Sequence, residues 1–297
     1  MQNHAARNLA IIRILYFSLI YWLIARYSYF EDWQNVPTEF WFPTGPMSFF
    51  SAPPLPSALH TLLFHLWRWL LVICALGLLY RWLAPVTFIF GFILFNYAHS
   101  FGYQTHTYMP VLLAGLPLAF ARASDTLSLD RFFGNPKPET AIDLRIYTWH
   151  VKSMQLVFCL TFFAAGVSKL RFGGMEWIFS DTLRNYFYRA SIIYSDMHPL
   201  AHAIGLNRIL YEHPIFTRVL AMVAVIIEFS APLALWKQTY ARVIVPMLFV
   251  MQIFIFFTIF VNFQIYLTIY IAWIPWGEIY DFLRSRSRVV FDPRAGA

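Results

Sequence analysis

Residues 243–276 read "VIVPMLFVMQIFIFFTIFVNFQIYLTIYIAWIPW", a run with no Lys, Arg, His, Asp or Glu. As one helix it would extend about 50 Å at ~1.5 Å per residue, well past a ~30 Å hydrocarbon core. It therefore reads as two crossings joined at "VNFQ". The run is continuously apolar instead of alternating, which points to helices and excludes an outer-membrane barrel.

Composition extends that reading to the rest of the chain. Of 297 residues, 59% are hydrophobic and 12% are charged. Soluble domains carry about 25% charged residues. This much apolar surface needs lipid as its solvent. Spans of ~17–25 mostly apolar residues are expected at 8–29, 58–80, 84–101, 106–121, 147–170, 214–236, 241–260 and 263–280. The fold class is an all-α, polytopic integral membrane helical bundle of about eight transmembrane helices. The first span has a charged start but no A-x-A-like cleavage site, so it reads as a retained helix. Cys74 and Cys159 sit inside apolar runs as small core residues.

Basic residues favour the cytoplasmic side. Arg7 and Arg13 mark the N-terminus, Arg122, Arg131, Lys137 and Arg145 a central connection, and Arg284, Arg286, Arg288 and Arg294 the tail. The 30–57 loop has no Lys or Arg. Both termini are therefore expected in the cytoplasm. The long 171–213 segment should lie outside despite Arg171, Arg184, Arg189 and Arg208; long loops follow the rule weakly. The expected organisation is a single membrane domain over 1–297. Outer segments 30–57 and 171–213 cap the bundle, and 281–297 form a short basic cytoplasmic tail. The net charge of +7 then faces membrane lipid. Scattered among membrane turns, these basic residues make no nucleic-acid footprint.

Ionisable residues at membrane depth mark candidate sites. In "FAAGVSKLRFGGMEW", residues 163–177, Lys169 ends an apolar run ahead of a Gly-Gly turn. On the expected topology it lies at the outer end of span five, where snorkelling to the headgroups would also place it. Ala164, Ala165 and Gly166 would let another helix approach closely. His60, His65, His99 and His106 collect on the same side, and His65 and Arg68 share a helix face. Glu228, in the inner half of span six, must be paired, protonated or water-facing; structural pairing is its expected role. His198 and His202 bracket Pro199 in a loop, with no Cys or inward carboxylate nearby, so no metal is expected.

Three motifs in order carry a resemblance. "AAGVSKL" followed by Trp177, "QTHTYMPVLLAGLPLAFARAS" upstream and "IIEFSAPLAL" downstream resemble the membrane segments of the vitamin K-dependent gamma-glutamyl carboxylases. Those belong to the wider, largely bacterial family of horizontally transferred transmembrane domain (HTTM) proteins. The resemblance runs over roughly residues 8–283. It implies that Lys169 matches the lysine that deprotonates reduced vitamin K, the base produced on oxygenation then removing a glutamate γ-proton. It makes His106 the motif histidine that hydrogen-bonds developing charge. His65, Arg68, His99, Trp177 and Arg171 form the expected substrate or quinone-binding set. The implied cofactor is reduced vitamin K, a menaquinol-type quinol, and the implied location is a bacterial inner (cytoplasmic) membrane. The sequence departs from the carboxylases at Thr105, where they carry asparagine, and at Ser180, where they carry the turn glycine. No segment here is expected to supply their large lumenal domain, which binds the substrate's propeptide.

Two readings follow. One is a lyase-like membrane enzyme acting on the outer side, with Lys169 as general base on a peptide or a small lipid-phase substrate. The other is a non-catalytic subunit that binds lipid, quinone or a partner protein in the maturation or export of a peptide. The enzyme reading expects Lys169 and His106 to approach one enclosed, mainly apolar pocket.

Overall fold

The computed structural model describes residues 2–25, 35–49, 53–102, 108–134, 144–193 and 206–291, and all regular structure among them is helical. In chain order the helices are α1 (Gln2–Ile20, continued by a π turn over Tyr21–Ala25), α2 (Pro46–Phe49), α3 (Ser57–Leu76), α4 (Tyr80–Ser100), α5 (Tyr108–Ala119), α6 (Leu129–Phe133), α7 (Arg145–Gly173), α8 (Glu176–Phe179), α9 (Thr182–Ile193), α10 (Leu206–Glu212), α11 (Pro214–Ser230), α12 (Gln238–Ile259), α13 (Leu267–Tyr270) and α14 (Trp276–Phe291). Six helical stretches are long and apolar enough to cross a membrane: His4–Ala25, Ser57–Leu76, Tyr80–Ser100, Arg145–Gly173, Pro214–Leu235 and Gln238–Ile259.

Two expected spans take another form. The fourth is α5, with 12 described residues, about 18 Å at ~1.5 Å per residue, and the residues that precede it, 103–107, lie outside the described residues. The eighth is broken into a 3-10 turn (Gln264–Tyr266), α13, a second 3-10 turn (Ile271–Trp273) and then α14. Pro275 separates the second turn from α14, since proline lacks the amide donor that would carry a helix through. The expected break at "VNFQ" is present. Phe260 takes φ +62, and the Asn262 side-chain oxygen accepts a 2.9 Å bond from the Gln264 amide.

The chain forms two compact units, residues 1–155 with 265–297, and residues 156–264. In the first, α1 packs on α3, α13 and α14, and α4 packs on α3 and α5. Polar groups fix this packing. The Tyr16 hydroxyl donates to the Val111 carbonyl at 2.9 Å and the Tyr80 hydroxyl to that of Leu118 at 2.7 Å. Gly115 leaves the space that Tyr16 fills, because a Cβ there would lie 1.9 Å from its hydroxyl. Arg13 is wholly buried (0% exposed). It donates to the Leu127 carbonyl and lies over the Tyr80 ring at 5.6 Å. The Asp130 carboxylate accepts from the Leu79 and Tyr80 amides at 2.6 and 3.0 Å, capping α4. At the other end of α4 lie described residues of the segment expected over 30–57. The Phe42 amide donates to the Ser100 carbonyl at 2.7 Å, and Trp41 packs on Tyr97 and Phe101. At the start of α14, Arg7 and His4 both contact Asp281.

In the second unit, α11 packs against α8, α9, α10 and α12, and α9 against α12. The short helices α8, α9 and α10 fall within the segment expected over 171–213. Asp181 ties them together, lying 3.3 Å from Arg184 and 3.6 Å from Arg218.

Candidate functional site

The site is built from three local features of the sequence. The first is the Gly173–Gly174 pair that ends α7. Gly174 takes φ +59, the left-handed conformation that lets a helix stop and turn. A Cβ on Gly173 would lie 2.9 Å from Trp177 Cβ. Together the two glycines fold Trp177 back onto the last turn of α7, where its ring lies 5.1 Å from the Lys169 amine.

The second feature is Gly166. It is buried, and a Cβ there would meet Phe229 at 3.0 Å and Glu228 Cβ at 3.2 Å. The missing side chain thus lets α11 approach one turn before Lys169. Phe163 and Phe229 meet edge-to-face at 5.3 Å beside it. Of the three small residues read as an interface, Gly166 serves that purpose, whereas Ala164 is exposed and Ala165 partly so. Successive residues point about 100° apart around a helix, so three in a row cannot share one face.

The third feature is the Glu-x-x-x-Pro spacing of Glu228 and Pro232. Four residues after Glu228, an α-helix would donate an amide to the Glu228 carbonyl, and proline has none. The Ala231 amide donates to that carbonyl instead, and the chain continues as a 3-10 helix over Ala231–Leu235. The spacing marks where α11 tightens, just past its carboxylate.

These features bring Lys169 and Glu228 into an ion pair through Glu228 Oε1. The Glu228 side chain is 4% exposed and that of Lys169 24%. Glu228 Oε2 is buried and has no hydrogen-bond partner among the described residues. Glu228 lies about 21 Å along α11 from Pro214 at ~1.5 Å per residue. The lysine expected at the outer edge therefore meets its partner deep along the neighbouring span. This pairing was missed from sequence, although opposite charges in consecutive spans were its signal. The obstacle was register: α7 continues past the expected end of span five, and Asp181 near Arg218 sets α11 alongside the segment that follows Lys169.

The remaining candidates are distributed as follows. Trp177 joins Lys169. Arg171 is exposed and lies over the Phe172 ring at 5.6 Å; two residues from Lys169, it points to another side of the helix. His65, Arg68 and His99 belong to the other unit. There Arg68 covers the Phe64 ring at 5.7 Å, His65 is exposed and His99 is in the last turn of α4. His106, His198 and His202 lie outside the described residues, and so does part of the expected Lys169–His106 pocket. His60, also on the expected outer side, is buried with neither ring nitrogen bonded among the described residues, its ring 4.5 Å from that of Tyr97. Among the described residues no group of three His, Cys, Asp or Glu is placed to hold a metal ion.

The arrangement can exchange a proton. An amine and a carboxylate in contact share one proton, and one carboxylate oxygen remains open as an acceptor. A model of the HTTM domain family matches residues 1–273. No curated protein and no solved structure matches the chain.

Proposed function

The chain belongs to the HTTM domain family, a membrane family related to the membrane domain of the vitamin K-dependent carboxylases, and from that premise we propose that it is a membrane-embedded proton-abstracting enzyme. Lys169 is the general base, and the substrate is a lipid-phase hydroxyl compound. The observation that carries this reading is the Lys169–Glu228 pair with its open oxygen. Charge inside a membrane protein is costly, and proton-handling sites are a principal use of it.

The residues present fit a quinol. Glu228 Oε2 is an acceptor awaiting a donor, and Trp177 offers an aromatic face beside the amine. Lys169, Glu228 and Trp177 would hold a menaquinol-type ring. The bound quinol would supply an acidic hydroxyl and, with oxygen, the stronger base that the carboxylase resemblance implies. A base must present its amine uncharged, so the proton Lys169 would otherwise carry must reside elsewhere. Glu228 is the bonded neighbour able to hold it. Trp177 and the apolar walls of α7 and α11 exclude water, which strengthens the electrostatic interaction between amine and developing anion. His106 is assigned by resemblance to hydrogen-bond that anion. On the expected eight-span topology in a bacterial inner membrane, the site opens toward the outer side, where a peptide substrate would reach it.

The test uses the full chain in lipid nanodiscs, supplied with reduced menaquinone, oxygen and labelled bicarbonate. Quinol consumption is expected in the native protein and a loss of at least a hundredfold in Lys169→Ala, the scale of general base catalysis. Equal consumption by folded Lys169→Ala protein would exclude the base. A second reading is favoured by the pair itself. It bonds α7 to α11, as expected of a non-catalytic subunit binding lipid or a partner protein. Loss of folded Lys169→Ala protein from the membrane would support it.

A further inference from the structure

Resting on the reading of Lys169 as a base, we infer that the substrate's proton enters the pair at Glu228 Oε2 and reaches Lys169 through the carboxyl group. Glu228 then becomes a second catalytic residue, and the ligand class is a hydrogen-bond donor, a hydroxyl, aimed at that oxygen.

A proton inventory carries the inference. The contact between the Lys169 amine and Glu228 Oε1 is occupied by one shared proton. If the proton is on nitrogen, the ammonium has no lone pair left. If it is on Oε1, the amine's single lone pair accepts that hydrogen bond. In neither arrangement is the nitrogen free to receive a second proton directly. The Trp177 ring lies 5.1 Å from the amine and limits approach from its own side. Glu228 Oε2 is different. It keeps unused lone pairs in both arrangements, it is buried, and it is unbonded among the described residues. An open acceptor in a side chain 4% exposed is a standing penalty, relieved by a ligand that donates to it.

The step balances without a further reactant. The step starts from the neutral arrangement of the pair, with the proton on Oε1 and the amine uncharged, which the ion pair reaches by proton transfer within the contact. The substrate O–H bond breaks and an O–H bond forms at Oε2. The Oε1–H bond breaks and an N–H bond forms at Nζ. The products are a neutral carboxylic acid at Glu228, an ammonium at Lys169 and the substrate anion, with total charge unchanged. The cation thus appears beside the new anion, where it stabilises it. Gly166 has a part in this geometry, because a side chain there would press on Glu228 Cβ and Phe229 and turn the carboxyl away.

The experiment is infrared difference spectroscopy of the full chain in nanodiscs, with the reduced naphthoquinone menadiol as probe. Menadiol is expected to shift a carboxylic C=O band in the native protein, and Glu228→Gln is expected to abolish that band. The same variant is expected to bind menadiol about tenfold more weakly, the cost of one hydrogen bond between buried partners. Should Glu228→Gln fail to fold, Glu228→Asp keeps a carboxyl and must give its own menadiol-sensitive band. The inference is overturned if no carboxyl band responds in the native protein, or if the responding band survives in Glu228→Gln. Turnover separates the two claims. With Glu228→Gln active and Lys169→Gln inactive, the base reading stands and the carboxyl route falls. With both variants active, both fall.

Discussion

At the scale of single residues, one ion pair dominates. Lys169 and Glu228 stabilise each other's charge among apolar helices, so removing one strands the other. Lys169→Met is expected to destabilise the protein by about 3 kcal/mol or more, because an uncompensated buried carboxylate remains. The double replacement Lys169→Met with Glu228→Leu should recover most of that loss, since it leaves two apolar side chains in contact. Unfolding of the purified protein in mixed micelles measures both. Equal and additive losses would mean that the two side chains do not act as a pair. Sequence identified each of these residues as an expensive charge at membrane depth, but not as partners. Trp177 entered through the family resemblance, as the tryptophan that follows the lysine motif, although its spacing after Lys169 is longer than in the carboxylases; the Gly-Gly turn supplied the mechanism for its return.

At the scale of elements, glycine and proline set the geometry. Gly174, at φ +59, permits the turn after α7, and Gly173 admits Trp177 against the helix. Gly174→Ala is expected to cost about 1–2 kcal/mol through left-handed strain. Gly173→Ala should instead displace Trp177, seen as a red shift and quenching of tryptophan emission relative to Gly174→Ala. Identical spectra for the two variants would count against Gly173 as the packing position. Most long helices were legible, because an apolar run of sufficient length must form its own backbone hydrogen bonds in lipid. The eighth expected span was not. Its residues are apolar enough, but Pro275 and the 3-10 turns around α13 interrupt the helix, and hydropathy does not register a missing amide donor.

For the whole molecule, the expected arrangement with both termini in the cytoplasm makes a labelling prediction. Cys74 and Cys159 are both buried and unpaired, so the native chain gives little background. Ser48 and Ser285 are exposed. An impermeant maleimide is expected to label Ser48→Cys in intact cells and Ser285→Cys only after permeabilisation. Labelling of Ser285→Cys in intact cells would invert the topology and with it the outward site.

The sequence by itself determined that the chain is a helical membrane protein of the HTTM kind, because total hydrophobicity, run length and motif order are properties of the chain read in one dimension. It also determined which polar residues are too expensive to be incidental: Lys169, Glu228 and Arg68 among them. Only the tertiary structure decided which of these meet. Helices that are apolar on every side carry no stripe to fix their rotation or relative depth. The meeting of Lys169 with Glu228 depends on the close approach at Gly166, the turn at Gly174 and the tie between Asp181 and Arg218. The open oxygen of Glu228 exists because that register brings one amine to one carboxyl oxygen and leaves the other buried beside it.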